Sequence, residues 1–482
     1  METNAIVSAV KAMCGAGHSY VEKSVLRAEC SGETDFDTQL RVQEEEGLLH
    51  EENGLIYLET TWRYEQSAAR DLAVLLSRSP RNLPVLPDPF SVGGTLLVPE
   101  QIFAIRTALS HSITLILGPG GSGKSTLVAG ILAAVPNPKE VSLVAPTGKA
   151  ARNLSDKTGH PASTIHHALG VFPGSDFLAV GTRRDIDTII VDEASMMTLA
   201  MLAGVLCALP ENGRLILIGD DAQLRSVGTG NIISDLIDAG VPCCRLACNH
   251  RQDNSASELW HNTRYYSDIW QYSDLLSGGS FQIRDPAAQR DLVERAAQLY
   301  RMGISGQVIT PINNRAAKLN KAIRDVVNPI RSVNESGSYG GQVFREGDRV
   351  IITKNDRRRK CQNGDIGVLR FGDNGDIAVH IDGRPPVRWS QDELAAGAAA
   401  IDLAYALTVH KAQGSQYDYV LVDMPMCRLL DRNWFYTAIS RAQKGVVIYG
   451  SEEAIDKAVR TAPPLRRSRL AQRIRSCLNL AA

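Results

Sequence analysis

The stretch from Gly118 to Ser125, GPGGSGKS, has the residue types and spacing of a phosphate-binding loop, G-x-x-x-x-G-K-[ST]. Its glycines allow successive backbone N–H groups to converge on phosphate oxygens at the start of a helix. Lys124 would reach the β- and γ-phosphates of a nucleoside triphosphate, and the Ser125 hydroxyl would bind Mg²⁺. The predicted nucleotide-binding residues of this loop are Gly118, Pro119, Gly120, Gly121, Ser122, Gly123, Lys124, Ser125 and Thr126.

Such a loop needs a strand before it and a helix after it. Residues 114 to 117 are β-branched or aliphatic and predict a buried strand, and an apolar-periodic run that predicts a helix follows. Three later apolar runs also end in polar groups, which are Thr147 and Lys149 in VSLVAPTGK, Asp192 and Glu193 in DTIIVDE, and Asp220 and Gln223 in RLILIGDDAQ. Ligands of open α/β sheets bind at the carboxyl ends of strands, so we expect these groups to converge on the nucleotide.

The residue types at those strand ends suit hydrolysis of a phosphoanhydride. After such a loop, Asp192 is expected to hold Mg²⁺ and Glu193 to orient or deprotonate the attacking water. Gln101, at the start of the predicted helix VPEQIFAIRTAL, could pair with the edge of adenine or be an ordinary solvated side chain. Arg251 and Arg441, near the strands of a second predicted sheet, could supply positive charge to the γ-phosphate or form surface ion pairs.

Composition excludes a membrane protein and points to several domains. The chain has 482 residues, enough for two to four domains, with 52 basic and 53 acidic residues. Residues 1–60 carry 12 acids and 4 bases, a balance of −8, whereas residues 431–482 carry 4 acids and 10 bases, a balance of +6. The C-terminal end could therefore face phosphates, with solvated charged faces as the alternative. No apolar run spans a bilayer, and nine cysteines without a regular framework suit a reducing cytoplasm.

Changes of composition and pattern along the chain predict five structural parts. Residues 1–80 combine helices with a hairpin at Asn53-Gly54, a pattern that looks like a winged helix, and their acidity favours docking to a protein. Residues 81–94 are a proline-rich linker, 95–240 form the first domain, and 241–335 with 396–482 form a second parallel-sheet domain. Between them, 336–395 predict an inserted small β-barrel with a basic loop at 357–360.

The ordered set of motifs resembles a superfamily 1 helicase of the RecD-like branch. In chain order these motifs, within about residues 95–450, are PEQ, GPGGSGKS, APTGKAARNLSDKTG with TIHHALG, VDEASMM, GDDAQLRSVGTG, HRQ, YALTVHKAQGSQYD and YTAISRA. The resemblance implies an α/β fold with two RecA-like domains, an SH3-like barrel and a small N-terminal α+β module. It also implies an ATP-dependent DNA helicase or translocase that uses ATP and Mg²⁺ and moves 5′ to 3′ on single-stranded DNA.

Individual roles follow from the resemblance only at matching positions. Gln101 would contact adenine, Gln223 would sense the γ-phosphate, and Arg251 and Arg441 would act as arginine fingers beside the catalytic Lys124, Asp192 and Glu193. On the DNA side the resemblance points to Thr147, His166, Thr310, Pro311, His410 and Gln413. These are groups at strand ends that suit phosphate and sugar contacts.

The chain departs from the family pattern in two places. The interval at 171–185, where the family inserts a β-hairpin pin that splits the duplex, is very short, and Arg225 replaces the usual proline. The alternative reading is therefore a DNA-stimulated ATPase switch or a motor subunit of a larger complex that does not unwind DNA alone. Expected partners are single-stranded DNA, its junctions with duplex, and a protein bound by the N-terminal module, with no membrane.

Overall fold

The structure, a computed structural model, places the chain in two compact units. It describes residues 4–31, 35–83, 85–172, 174–183, 185–247, 281–284, 289–330, 336–339, 341–356, 358–372, 375–397 and 399–481. Unit 1 comprises Met1–Pro146, Ala150–His250 and Pro464–Ala482, and unit 2 comprises Thr147–Lys149 and Arg251–Pro463. No helix among the described residues is long and apolar enough to cross a membrane.

The N-terminal module is a small helical domain with a three-stranded antiparallel sheet in the order β1-β3-β2. Asn53 and Gly54 both have positive φ angles, 55° and 76°, which is the requirement of a type I′ turn between two hairpin strands. The element order before the last helix is that of a winged helix. The elements are α1 (Ala5–Gly15), β1 (Tyr20–Glu22), α2 (Lys23–Glu29), α3 (Phe36–Glu45), β2 (Leu49–Glu52), β3 (Leu55–Leu58) and α4 (Glu59–Ser77).

A six-stranded parallel sheet forms the centre of unit 1, in the order β11-β6-β10-β9-β7-β8. All residues of the central strands β6, β9 and β10 are buried, as both faces of the sheet are covered. The elements are β4 (Ser91–Val92), β5 (Thr95–Leu96), α5 (Pro99–Ser110), β6 (Ile113–Leu117), α6 (Lys124–Ala134), β7 (Val141–Ala145), α7 (Gly148–Thr158), β8 (Ala162–Thr164), α8 (Ile165–Ala168), β9 (Thr188–Val191), α9 (Leu199–Ala208), β10 (Arg214–Gly219), α10 (Ile232–Asp238) and β11 (Cys243–Arg245).

Two predicted boundaries of the first domain differ from the structure. Strand β11 pairs with β6 and so belongs to unit 1, although the boundary was expected at residue 240. The segment 81–94 is also more than a linker, because Leu86 and Phe90 are buried and join the core formed by α5, α6 and one face of the sheet. Its apolar side chains make it part of the domain despite its prolines.

Unit 2 combines a five-stranded parallel sheet, in the order β12-β23-β22-β13-β21, with an antiparallel barrel sheet in the order β19-β18-β17-β16-β20. The barrel sheet ends with β20, beyond the predicted limit at residue 395. The elements are β12 (Phe281–Arg284), α11 (Gln289–Arg301), β13 (Gly306–Thr310), α12 (Asn313–Val327), β14 (Ser336–Tyr339), β15 (Gln342–Arg345), β16 (Arg349–Ile352), β17 (Ile366–Phe371), β18 (Ile377–His380), β19 (Val387–Trp389), α13 (Gln391–Ala395), β20 (Ile401–Leu403), β21 (Ala406–Thr408), α14 (Val409–Ala412), β22 (Tyr417–Met424), α15 (Arg432–Ile439), β23 (Ala442–Gly450) and α16 (Glu452–Arg460).

The C-terminal helix α17 (Leu470–Ala481) belongs to unit 1, whereas the sequence placed it in the second domain. Leu470 and Ile474 are fully buried in the core that α4 and α9 share with the sheet. Arg473 pairs with Glu52 and with Glu65 of the N-terminal module. The basic C-terminal end is thus neutralised in part by the acidic N-terminal module, so the opposite charges of the two ends pair within unit 1.

Candidate nucleotide site

The loop between β6 and α6 has the geometry of a phosphate cradle. Gly123 precedes the first turn of α6 with φ 77° and ψ 22°, a left-handed conformation that glycine adopts without a Cβ penalty. The loop is closed by Ser122, whose N–H and hydroxyl both donate to the Pro119 carbonyl, at 3.2 and 2.9 Å. The N–H groups of the first turn of α6 have no acceptor within the helix, which makes this end suited to anions.

Lys124 and Asp192 lie close enough to interact. The Lys124 ammonium donates to the carbonyls of Gly118 and Pro119, at 2.7 and 2.8 Å, so its charge lies within the loop. Burial, and then the neighbouring Glu193, raise the pKa of Asp192, while the Lys124 charge lowers it. The structure therefore brings these three predicted residues of the loop and the β9 strand end to one site.

Glu193 adopts an unusual backbone conformation directly after β9. Its φ and ψ are 53° and 42°, a left-handed conformation that costs a non-glycine residue about 1–3 kcal/mol. The Glu193 N–H donates to Oδ1 of Asp192 at 2.9 Å. The chain therefore turns sharply at Glu193, which gives the two adjacent carboxylates different directions.

Gln223 lies on the loop that follows β10, and we call residues Asp220–Gly230 the β10 loop. Its N–H donates to the Asp220 carbonyl at 3.2 Å, and its Nε2 to Oδ2 of Asp220 at 3.5 Å. Asp220 is fully buried and Gln223 nearly so. The carboxamide is thus held beyond the carboxyl end of β10, the strand next to β6.

Gln101 is buried at the start of α5, so the solvated alternative does not describe it. Its Oε1 accepts the Val98 N–H at 3.1 Å, which caps the helix. The capping bond uses the oxygen, and the amide nitrogen is the donor that an adenine ring nitrogen would require.

The predicted DNA-contacting residues of the first domain lie after β7 and β8. His166, on α8, is half-buried, packs edge-on against Phe177 with ring centroids 5.4 Å apart, and has its pKa lowered by burial. Thr147 groups with unit 2 and is partly exposed.

The predicted pin segment forms no hairpin within its described part, residues 171–172, 174–183 and 185. It contains a short 3-10 helix, Phe177–Ala179, instead of paired strands. Phe177 packs edge-on against Tyr64 of α4 as well as against His166. These two ring contacts of Phe177 hold the short described segment against the domain, so it does not project as a β-hairpin.

The predicted residues of unit 2 differ in accessibility. His410 is exposed, whereas Thr310, Pro311 and Gln413 are buried, and the Thr310 hydroxyl donates to Asp423 at 2.8 Å. Arg441 is buried as well, with Nε donating to the Thr437 carbonyl and Nη2 to the Ser440 hydroxyl, each at 3.1 Å. Arg251 lies outside the described residues.

Sequence reasoning missed an ion pair beside Thr310. Arg315, on α12, donates from Nη2 to Oδ1 of Asp423 at 2.6 Å and from Nε to Oδ2 at 2.5 Å, and Asp423 is buried near the end of β22. The run YVLVD, which ends in an acid just as the β9 run does, was the available signal.

The basic loop of the barrel is partly occupied by internal pairs. Arg359 pairs with Asp356 and with Glu393, and its guanidinium lies 5.5 Å from the centre of the Trp389 ring. Arg358 and Lys360 are exposed. Arg357 lies outside the described residues, so Arg358 and Lys360 are the described part of the loop that could contact phosphates.

A glycine-rich loop with its lysine, near two carboxylates at the end of another strand of the same parallel sheet, defines a P-loop nucleotide hydrolase. Models of three families match the chain: an AAA domain at residues 96–264, a UvrD-like helicase C-terminal domain at 403–449 and an ATP-dependent RecD-like DNA helicase SH3 domain at 319–382.

Curated relatives cover most of the chain. The RecBCD enzyme subunit RecD of Mycobacterium tuberculosis is 32% identical over 458 residues, covering 84% of this chain and 78% of that protein. The ATP-dependent RecD2 DNA helicase of Deinococcus radiodurans is 30% identical over 447 residues, covering 88% of this chain and 59% of that protein. The chain therefore belongs to the RecD-like family of superfamily 1, and it is an ATP-hydrolysing DNA helicase by that membership.

Solved structures agree on the fold. A crystal structure of Bacteroides Pif1 bound to single-stranded DNA superposes with a TM-score of 0.51 and 19% identity, over 77% of this chain and 95% of that one. A Pif1 structure from a study of unwinding at forked duplex DNA has the same TM-score at 18% identity, with the same two coverages. These matches support the expected pair of RecA-like domains with an SH3-like barrel.

Proposed function

We propose that the chain couples hydrolysis of Mg²⁺-bound ATP to 5′ to 3′ movement along single-stranded DNA, and that it separates duplex at a junction. The observation that carries the proposal is the placement of Lys124 within its loop near Asp192 and Glu193, which follow β9 of the same parallel sheet. The 5′ to 3′ direction rests on the family resemblance alone.

The residues at the cradle fit a Mg²⁺ ion. Ser125 supplies a hydroxyl in the first turn of α6, and Asp192 supplies a carboxylate beside the Lys124 charge, and both are the hard oxygen ligands that Mg²⁺ takes in phosphate sites. When bound, the ion would neutralise charge on the β- and γ-phosphates. The Lys124 ammonium would exchange the two loop carbonyls for phosphate oxygens.

The remaining roles follow the positions of the side chains. Glu193 would orient or deprotonate the attacking water, and Gln223 would contact the γ-phosphate from the end of β10. Arg251 and Arg441 are proposed as arginine fingers, and Arg441 would first have to leave the Thr437 carbonyl and the Ser440 hydroxyl.

We further propose that the strand-end residues contact DNA through its backbone. Exposed His410 would contact phosphate with its side chain, whereas buried Thr310 and Pro311 would act through the strand-end backbone. The other residues proposed for this surface are Thr147, His166 and Gln413.

A second candidate function, that of a motor subunit that needs a partner for unwinding, is favoured by the missing hairpin in the described part of 171–185. The M. tuberculosis relative is a subunit of RecBCD. In this proposal the acidic N-terminal module docks to a protein partner, and the chain works in the cytoplasm.

Unwinding of a forked DNA duplex with a 5′ tail, a 3′ tail or no tail, with ATP hydrolysis recorded in the same tubes, tests both proposals. Separation only with the 5′ tail supports the first proposal. Hydrolysis stimulated by single strands, without separation, supports the motor-subunit proposal.

Lys124→Ala is the control for that experiment, because the phosphates lose their main cationic partner and hydrolysis should stop. Wild-type turnover in this variant would contradict the assignment of the phosphate cradle.

A further inference from the structure

The segment Pro464–Arg469, which we call the strap, belongs to unit 1, leads into α17 and binds the β10 loop of the same unit. Arg466 extends from the strap into this loop. Its Nη2 donates to the Ser226 carbonyl at 2.6 Å, and its Nη1 donates to the carbonyls of Gly230 and Gly228, at 2.9 and 3.1 Å. Nη1 also lies 3.3 Å from the Ser226 hydroxyl. One guanidinium thus binds four acceptor oxygens of three residues within the five-residue stretch 226–230.

The N-terminal module packs against Arg466 and bonds to both the strap and the β10 loop. Gly17, with φ 98°, lies so close that a Cβ there would stand 2.4 Å from Nε of Arg466. The Gly17 carbonyl accepts the Gly230 N–H at 3.1 Å, and Ser19 and His18 bond to the backbone of Arg467. The strap is therefore held between the module and the β10 loop.

Arg225 completes the connection from the loop side. Its Nη1 donates to the Pro464 carbonyl at 2.9 Å, so the loop and the strap each contribute an arginine to the other. Arg225 is the position at which the chain departs from the family's usual proline. The structure thus gives this departure a contact, which the sequence alone did not.

The Arg466 guanidinium remains charged at neutral pH in this place. Burial, together with the nearby Arg225 charge, lowers its pKa to about 10. The acceptors that the structure gives it among the described residues are carbonyl and hydroxyl oxygens of the loop. Hydrogen bonds from a charged donor are stronger than neutral ones, so this one side chain is a firm restraint on the loop.

Gln223 lies between two fixed points as a result. Asp220 holds it on the side of β10, and the bonds of Arg466 begin three residues further along, at Ser226. A loop with two glycines in the restrained stretch, at Gly228 and Gly230, has wide backbone freedom unless it is held. Loss of the second fixed point would let the Gln223 carboxamide leave its place.

We propose that Arg466 is a positioning residue of the ATPase, which fixes the β10 loop so that Gln223 meets the γ-phosphate. The proposal rests on the proposed function of Gln223. It makes the strap part of the hydrolysis machinery, although Arg466 itself is proposed to act only through the loop. The proposal predicts that replacing Arg466 lowers the rate of ATP turnover without weakening nucleotide binding.

The test measures ATP hydrolysis by the full chain at saturating single-stranded DNA, and binding of a fluorescent ADP. Arg466→Ala should lower kcat by about tenfold or more and leave KM and ADP affinity within about twofold, since ADP lacks the group that Gln223 contacts. Arg466→Lys should recover part of the loss, because an ammonium can satisfy some of the acceptors. The matched control is Arg475→Ala, which removes an exposed arginine of α17 that bonds the Asp238 carbonyl, and its kcat should stay unchanged.

A double-mutant cycle with Gln223→Ala separates positioning from general stabilisation. If Arg466 acts through Gln223, the double variant should hydrolyse ATP no more slowly than Gln223→Ala alone. Losses that multiply, or an Arg466→Ala kcat equal to that of Arg475→Ala, would overturn the proposal. If Arg466→Ala does not fold, the same cycle with Arg466→Lys gives the decision.

Failure of the proposed function would look different. A wild-type chain without ATP hydrolysis, or a Gln223→Ala variant with wild-type kcat, would refute the role of Gln223 itself and with it the route proposed for Arg466. An impaired Gln223→Ala variant combined with multiplying losses would refute only the role of Arg466.

Discussion

Replacing Arg473 should strongly destabilise unit 1. Its Nε donates to Oε1 of Glu65 at 2.9 Å, its Nη1 donates to Oε1 of Glu52 at 3.0 Å, and its guanidinium lies 5.5 Å from the centre of the Tyr57 ring. Glu65 is fully buried. Arg473→Ala leaves that carboxylate buried without its cation, a change that costs about 3–5 kcal/mol of folding free energy.

The measurement must isolate unit 1, because a chain of two units need not unfold in one transition. Hydrogen exchange of peptides from α4 and α17 in increasing urea gives the free energy of unfolding of the region that contains the ion pairs. The matched control is Arg469→Ala, which removes a half-exposed cation 3.6 Å from Glu52 and should cost less than about 1 kcal/mol.

A second variant tests the physical reason. Adding Glu65→Ala to Arg473→Ala should restore part of the stability, because the buried charge without a partner is gone. An Arg473→Ala loss no larger than that of Arg469→Ala would refute the reasoning, as would losses that simply add in the double variant.

Three further predictions concern unit 1 and the barrel. Burial, with a smaller contribution from Glu65, raises the pKa of Asp235 to about 7, so the native state holds this proton more tightly than the unfolded state. The contribution of Asp235 to the stability of unit 1 should therefore fall as pH rises from about 4 to 7. Asp235→Asn should remove that slope in urea titrations and gain up to about 4 kcal/mol at pH 8; an unchanged slope would contradict the assignment. Gly17→Ala should lower the same stability by about 1–3 kcal/mol, through its positive φ and the guanidinium behind it, and a neutral effect would show that the strap yields easily. Replacing Arg358 and Lys360 by Ala should reduce the salt slope of single-strand binding by up to about 1.4, and a constant slope would exclude both as phosphate contacts.

Local features of the fold were predictable from the sequence. The strand, loop and helix around Lys124 follow from a short apolar run and from glycines at fixed spacing, and the Asn53-Gly54 turn follows from the need for positive φ at both positions. Each of these depends on a few neighbouring residues. The strand-end argument likewise predicted that Asp192 and Gln223 lie at one edge of a sheet, because parallel strands share one carboxyl edge. The structure adds that the two strands before them are neighbours.

Long-range packing was not predictable in the same way. The opposite charges of the two ends were visible in the sequence, but they fit DNA contacts, solvated faces or mutual pairing equally well. Burial of the apolar side chains of Leu470 and Ile474 against α4, some 400 residues earlier in the chain, selects mutual pairing of the two charged ends. The prediction of a linker at 81–94 was incomplete for a similar reason. The prolines predicted an irregular backbone, but the burial of Leu86 and Phe90 makes the segment part of the domain core.

Because α17 completes the core of unit 1, unit 1 begins to be synthesised first but cannot complete its fold until the end of the chain has been made. Residues 1–250 emerge from the ribosome roughly 220 residues before residue 470, a delay on the order of ten to forty seconds at cellular rates. During that time the faces of α4 and α10 against which α17 later packs lie open. The first unit to be translated must therefore wait for the second, and a newly made chain is exposed to chaperones and proteases at a site that the finished protein hides.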